Sequence, residues 1–219
     1  MMTHKKFMVA TGALLLTLAL AASFTSRSYA ESASDSALAQ WQAIYWYWAF
    51  GDLDDAGVDF GADLRGNTTV GDVVLMPLPD GPGDGTPASI DVTLDSGESF
   101  FLPLWTQLGT SYTDGTPPDE FVSLKVFKTL DISFKIDGVP VINNGNVLDY
   151  YAKGAFDPEI PIDFPPYNAV IWSQGISILH APLSAGKHTL TLDVRNVIPV
   201  FGGVSEYHNT WNFRVVKAK

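Results

Sequence analysis

Alternation of side chains between two faces, one of them mostly apolar, in two segments constrains the fold of this chain more than any other feature. Residues 131–136 alternate and run into the pair Asp137-Gly138, which the apolar residues 139–142 follow. Residues 187–194 alternate in the same way. Alternation has the period of a β-strand, and Asp-Gly beside such a run is typical of a hairpin with a type I′ turn. The two segments therefore predict antiparallel strands that bury one face.

The same two-residue period, or a short apolar run between turn residues, predicts further strands along the chain. These lie at residues 70–77, 90–94, 98–105, 169–172, 176–180 and 211–215. About eight to ten strands, joined mostly by turns, indicate a mainly β fold. The expected architecture is an antiparallel β-sandwich, jelly-roll-like, with one N-terminal amphipathic helix packed on it.

Three segments do not fit a simple strand. Pro103 interrupts the predicted strand 98–105, which places that strand at a sheet edge or marks a bulge. Residues 121–130 fit a strand and a helical turn equally well. Residues 153–168 contain four prolines and are predicted to form a long surface loop, a kind of segment that often carries function.

Residues 36–50 are predicted to form the single helix. Trp41, Tyr45 and Trp48 recur in this segment at helical spacing, so they share one face. An apolar face of this width is typical of a helix that packs across a sheet. We therefore expect these three rings to be largely buried and to hold the helix against the sandwich.

Aromatic residues away from that face support a binding hypothesis. Trp46 and Tyr47 lie off the stripe, and Trp172 lies in a predicted strand. Exposed indole and phenol rings can stack on the CH faces of sugar rings, because they combine a large apolar face with a polar edge. Trp46, Tyr47 and Trp172 are therefore the candidate ligand-binding residues, and carbohydrate is the candidate ligand.

The first thirty residues have the pattern of a secretory signal peptide. Lys5 and Lys6 precede an apolar run over residues 7–22, and small residues occupy the positions before a cleavage point after Ala30. The run is shorter than the roughly 20 residues that a membrane-spanning helix needs. We expect residues 1–30 to be removed, which leaves no membrane span and places one domain, residues 31–219, in the periplasm or outside the cell.

Charge and cysteine content narrow the partners of the mature chain. Residues 31–219 hold 10 Lys and Arg against 24 Asp and Glu, a formal charge of −14. Such acidity disfavours nucleic acid and anionic membrane, since both require cationic contacts. The chain has no cysteine, so its stability must come from a packed core rather than from disulfides.

An acid-rich segment after the helix partly imitates a calcium loop. Asp52, Asp54 and Asp63 stand at the first, third and twelfth positions of the pattern. Ala56 offers no side-chain oxygen at the fifth position, and the twelfth is Asp rather than the usual bidentate Glu. The segment is therefore expected to be a solvated loop, with weak calcium binding as the alternative and no other cofactor indicated.

Catalysis is the competing class of function. The mature chain keeps His180, His188 and His208, which three strands could bring together as a metal or catalytic site. Two of its many carboxylates could also act as a hydrolytic pair. The chain lacks a Gly-x-Ser-x-Gly elbow, a phosphate loop and a cysteine nucleophile. A small exported hydrolase or metal-dependent enzyme is therefore the alternative hypothesis.

Several motifs occur in a recognisable order: the tryptophan-rich segment, the strand 99–104, the hairpin 136–141 and residues 183–190 with Gly-Lys-His-Thr. Over residues 41–216 this order resembles a group of exported bacterial proteins of unknown function. Many members of that group carry cysteines in their first half, which this chain does not. The resemblance implies export and fold, and it brings no activity. The leading hypothesis is a secreted, non-catalytic binding or cell-surface module whose partner is carbohydrate or another surface protein.

Overall fold

Two β-sheets pack face to face, and a helix lies on the outer side of one of them. The computed structural model describes residues 35–51, 56–79, 81, 83–198 and 203–217. The predicted signal peptide, residues 1–30, lies outside the described residues. The helix α1 spans Asp35–Phe50, close to the predicted bounds.

The first sheet has six strands and the second has five. In spatial order, the first sheet contains β1 (Gly61–Ala62), β2 (Thr68–Val70), β3 (Val73–Leu75), β5 (Ser99–Tyr112), β9 (Tyr167–His180) and β8 (Tyr151–Phe164). The second contains β4 (Asp84–Asp95), β11 (Gly203–Val216), β10 (Gly186–Ile198), β6 (Asp131–Ile136) and β7 (Val139–Asn143). Two short helical segments, α2 (Leu124–Lys128) and a 3-10 turn (Val147–Tyr150), complete the described elements.

The predicted β-sandwich is confirmed, but its sheets are mixed rather than wholly antiparallel. β3 pairs with β5 in parallel, and β4 pairs with β11 in parallel. The first parallel pair arises because the chain leaves β3 for the second sheet, forms β4 there, and then returns as β5. Because β4 follows β3 and precedes β5 along the chain but lies in the opposite sheet, β3 and β5 can be neighbours that run in the same direction.

Alternation fills the space between the sheets as the sequence predicts. In β10, Leu190, Leu192 and Val194 are buried, and they lie opposite Ile136, Phe134 and Ile132 of β6. Thr189, Thr191 and Asp193 point to the outer face. The hairpin between β6 and β7 is also confirmed: Asp137 and Gly138 have φ of 52° and 78°. Positive φ at both positions is what a type I′ turn requires.

Two predictions for the first sheet are wrong. Residues 153–168 are not a surface loop, because most of them belong to the edge strand β8. The ladder between β8 and β9 is interrupted between Ala155 and Ile160, and Pro158 lies in that gap, where it displaces no ladder hydrogen bond. The segments 169–172 and 176–180 are one continuous strand, β9.

The ambiguous segments are also resolved. Pro103 lies in β5, an interior strand, next to an irregularity in the pairing with β9. The bulge expectation is therefore correct and the edge expectation is wrong. Residues 124–128 form α2, in which Ser123 accepts a hydrogen bond from the Lys125 backbone N–H as the N-cap.

The helix α1 packs on the outer face of the first sheet, but it is buried on more than one side. Tyr45 is buried as predicted, whereas Trp41 and Trp48 are only half-buried. The apolar layer around α1 includes side chains from the sheet, from β8 and from residues 56–60. A helix that is apolar around most of its circumference is surrounded rather than laid on one surface.

A polar contact lies inside this layer. The side chain of Gln42 is fully buried and donates to the Gly175 carbonyl (3.2 Å) and to Ser177 Oγ (2.8 Å). Ser173 Oγ lies 3.4 Å from Gln42 Oε1, to which it donates. Since β9 presents only small residues here, α1 can approach the sheet closely and still satisfy this amide.

Candidate functional site

The predicted sugar platform on α1 is not exposed. Trp46 and Tyr47 are 3% and 0% exposed, although both lie off the predicted stripe. Trp46 packs edge-on against Tyr45, and Tyr47 donates its hydroxyl to the Pro158 carbonyl (2.8 Å) of β8. The predicted exposure of these two rings is therefore wrong, because β8 closes over the side of the helix that the sequence left open.

Trp172 is also buried, and it fixes a loop to the sheet. Its indole N–H donates to the Asp119 carbonyl (2.7 Å), and its ring lies 4.8 Å from that of Phe121. The ring occupies the space over Gly109, where an added Cβ would come within 1.9 Å of it. The loop 113–123 is therefore held against β9 through a side chain whose own position requires glycine on the neighbouring strand.

Five positions along β9 from Trp172, three aromatic side chains are neighbours across the tips of three strands. The pairing register puts Tyr112 of β5 opposite Tyr167 of β9, and Tyr167 opposite Phe164 of β8. The ring centroids lie 5.6 Å apart for the first pair and 6.2 Å apart for the second. We call Tyr112, Tyr167 and Phe164 the aromatic row.

The aromatic row is accessible to solvent. Phe164 is 59% exposed and Tyr167 is 39% exposed, while Tyr112 is half-buried. Seven large apolar side chains are exposed in the described part of the chain. Three of them are aromatic: Phe164 and Tyr167 belong to the row, and Phe121 lies against Trp172. Exposed aromatic residues grouped in this way mark an interaction surface more often than single exposed side chains do.

Hydrogen bonds hold the row in place. Thr113 donates its backbone N–H (2.8 Å) and its hydroxyl (3.2 Å) to the Pro166 carbonyl, which ties the end of β5 to the turn between β8 and β9. Asp119 accepts from the Thr110 N–H (2.9 Å) and from the Tyr112 hydroxyl (3.0 Å). Burial and the nearby Asp119 carboxylate raise the pKa of Tyr112, so its hydroxyl keeps its proton.

The candidate calcium loop is only partly described. Asp52 and Asp54 lie outside the described residues. Asp63 accepts hydrogen bonds from the backbone N–H of Arg65 (2.8 Å), from Arg65 Nε (2.8 Å) and from the backbone N–H of Asn67 (3.1 Å). Burial raises the pKa of Asp63, but these bonds outweigh it and lower the pKa below its ordinary value. The Asp63 carboxylate is therefore occupied by an arginine, and within the described ranges no group of three His, Asp or Glu side chains is arranged to hold a metal ion.

The three histidines do not come together. His180 ends β9 in the first sheet, whereas His188 and His208 belong to the second sheet. His208 lies opposite Asp193, five positions along β10 from His188, which is about 17 Å of strand. The three-histidine site of the alternative hypothesis is therefore not formed.

Each histidine instead has local partners. His180 Nδ1 lies 2.6 Å from the Ala181 carbonyl, and its ring stacks on Phe100. His188 lies between the Asp137 carboxylate (2.6 Å) and the Ser184 carbonyl (2.8 Å). His208 lies between Asp193 (2.7 Å) and Glu206 (3.1 Å). Both ring nitrogens of His188 and of His208 thus face acceptors, which favours the imidazolium form.

A shallow depression offers no catalytic arrangement either. Its volume is about 320 Å³, and Lys128 and residues 144–149 line it. Asp149 is the one carboxylate in that lining, so the depression does not supply the two that a hydrolytic pair needs.

Among the described residues, no helix has the length and apolar character needed to cross a membrane.

Neither a protein-family model nor a curated protein matches this sequence. Of the predicted binding residues, Trp172 is buried and holds the loop 113–123, and the three residues of the row were not among the candidates predicted from the sequence. The available signal was the run Phe-Pro-Pro-Tyr at residues 164–167. Two aromatic residues on either side of a two-residue turn become cross-strand neighbours in a hairpin.

Proposed function

We propose that this protein is an exported, non-catalytic β-sandwich module that binds carbohydrate through the aromatic row. One observation carries the proposal: three aromatic side chains are cross-strand neighbours at the end of the first sheet, and two of them are substantially exposed. Sugar rings present flat CH faces that pack on aromatic rings, and a row of rings can contact successive sugars of one chain. Export rests on the predicted signal peptide.

The surroundings of the row suit such a ligand. The Asn168 side chain is exposed next to Tyr167 and donates to Ser111 Oγ (3.3 Å), which leaves further hydrogen-bonding capacity for sugar hydroxyls. The rings stand on paired strands, and the loop 113–123 is anchored by Trp172. A surface that is already ordered loses little conformational entropy on binding, which favours affinity.

The test is a binding screen of the mature chain, residues 31–219, against immobilised polysaccharides and oligosaccharides. Tyr167→Ala and Phe164→Ala should each weaken the binding that the screen finds by about tenfold or more, equivalent to about 1.4 kcal/mol. Both side chains are exposed, so the melting temperature should change little. Affinity electrophoresis or calorimetry measures the first effect, and thermal denaturation measures the second.

The matched control is Val139→Ala. Val139 is 64% exposed on β7 of the second sheet, so this variant also removes an exposed apolar side chain but leaves the aromatic row intact. It should bind as the unaltered protein does. If Tyr167→Ala and Phe164→Ala bind carbohydrate as tightly as Val139→Ala, the aromatic row is not the binding site.

A further inference from the structure

The charges around the aromatic row restrict which carbohydrate it can accept. Asp119 contacts the hydroxyl of Tyr112 (3.0 Å). Asp163 directly precedes Phe164, so their Cα atoms are about 3.8 Å apart, and Asp114 follows Tyr112 by two positions. Asp114 and Asp163 are exposed to solvent, and Asp119 is half-buried. Asp119 therefore contacts the row, while Asp114 and Asp163 add two exposed negative charges within two positions of it along the chain.

No cation offsets them nearby. Among the described residues that lie within two positions of the row or bond to it, none is Lys, Arg or His. Lys153 places its ammonium 5.1 Å from the centre of the Phe121 ring, which lies against Trp172 rather than in the row. The Asp114 carboxylate accepts a hydrogen bond from the Thr116 N–H (2.9 Å), which lowers its pKa and keeps it ionised.

We infer that the aromatic row selects a glycan without acidic groups, and that a chain of amino sugars with free amines binds more tightly than its N-acetylated counterpart. This inference rests on the proposed function. The rings supply affinity for any sugar with an open CH face, and the carboxylates then repel uronic acid or sulfated chains and attract ammonium groups. Because Asp114 and Asp163 are exposed, the discrimination must weaken as salt shortens the electrostatic screening length to about 8 Å and below.

The experiment uses three hexamers as probes: β-1,4-linked glucosamine, β-1,4-linked N-acetylglucosamine, and galacturonic acid. Dissociation constants are measured by calorimetry on the mature chain at low salt and at about 0.3 M salt. The buffer is mildly acidic, so that the amines are protonated while Asp side chains stay ionised. The glucosamine hexamer should bind several-fold more tightly than the N-acetylated one at low salt, the margin should shrink with salt, and the galacturonic acid hexamer should bind least.

Asp163→Asn tests the cause of that margin. It should reduce the preference for the glucosamine hexamer about twofold at low salt and leave the affinity for the N-acetylated hexamer unchanged. Asp131→Asn is the matched control, because Asp131 is an exposed carboxylate on β6 of the second sheet, and it should change neither affinity. Two results would overturn the inference. One is that the galacturonic acid hexamer binds as tightly as the N-acetylglucosamine hexamer. The other is that Asp163→Asn and Asp131→Asn show the same preference for the glucosamine hexamer over the N-acetylated one.

The two proposals fail in different ways. If Tyr167→Ala abolishes binding but charge on the hexamer has no effect, the aromatic row is a sugar site and only the inference about charge is wrong. If the hexamers bind equally to the unaltered protein and to Tyr167→Ala, or bind to neither, both the inference and the proposed site are wrong.

Discussion

The outer faces of the two sheets both consist of every second side chain along their strands, but α1 covers one of these faces and the other is open to solvent. On β9, the outward residues near the middle of the strand are Ser173, Gly175 and Ser177, and α1 covers them completely. On β10, the outward residues Thr191 and Asp193 lie half-exposed. Both strands bury apolar side chains on their inward side, such as Ile176 and Ile178 of β9 and Leu190 and Leu192 of β10, so these residues alone do not distinguish the covered face from the uncovered one.

The difference shows what a helix needs in order to dock on a sheet. Small side chains on β9 give α1 room to approach, and the polar atoms that remain are satisfied by Gln42. On the outer face of β10, β-branched and charged side chains occupy the surface instead and stay in contact with water. Asp193, for example, pairs there with His208. Side-chain size, more than polarity, separates the two faces, because serine and threonine are both hydroxyl residues. Three changes test this comparison.

The largest effect is expected from adding bulk to the covered face. Ser177→Leu removes the hydrogen bond from Gln42 and forces a larger side chain under α1, so it should cost about 2–4 kcal/mol of unfolding free energy. Thr191→Leu adds similar bulk to the outer face of β10, between Lys135 and Thr210, and should stay within about 0.5 kcal/mol. Urea denaturation measures both. Equal costs would mean that α1 does not require small residues beneath it.

A smaller effect is expected from removing the buried amide. Gln42→Ala leaves the Gly175 carbonyl and Ser177 hydroxyl without their partner in a buried layer, so it should cost about 1–3 kcal/mol. Gln40→Ala, on the exposed side of the same helix, removes the same group from solvent and is the control. It should leave the denaturation midpoint nearly unchanged. A neutral Gln42→Ala would show that the polar contact is dispensable for docking.

The smallest effect is in the pH dependence of stability. The pKa shift behind it is downward for His180 of the first sheet and upward for His208 of the second. Burial lowers the pKa of His180, so the stability linked to its neutral form is lost as the pH falls below about 6.5. Hydrogen bonds from Asp193 and Glu206 raise the pKa of His208, so its contribution is present below about 6.5 and is lost as the pH rises through the raised pKa.

His180→Gln should therefore flatten the acidic side of the stability profile, and His208→Gln should flatten the side above neutrality. Both effects should be at most about 1 kcal/mol, because His208 forms its ion pairs at the surface and His180 is only partly buried. Chemical denaturation at a series of pH values measures them. If both variants changed the slope of stability against pH in the same direction, the opposite pKa shifts of His180 and His208 would be contradicted.

Local patterns were sufficient for the elements whose partners are close in sequence or whose period is regular. The hairpin of β6 and β7, the strand β10 and the helix α1 follow from alternation, from Asp137-Gly138 and from helical spacing. These signals depend on φ preferences and on the side-chain direction of single residues, so they are present in the chain before it folds.

The tertiary structure alone decided the edge strand β8, the burial of Trp46 and Tyr47, and the place of Tyr112 in the aromatic row. Pro158 and Pro161 argue against a strand, yet β9 supplies the neighbouring ladder and tolerates a gap in it. β8 then covers the side of α1 that lies away from the stripe of Trp41, Tyr45 and Trp48. Tyr112 and Tyr167 are 55 positions apart and become neighbours only through the register of β5 and β9. Register is set by the packing of a whole face, so no local sequence pattern contains it.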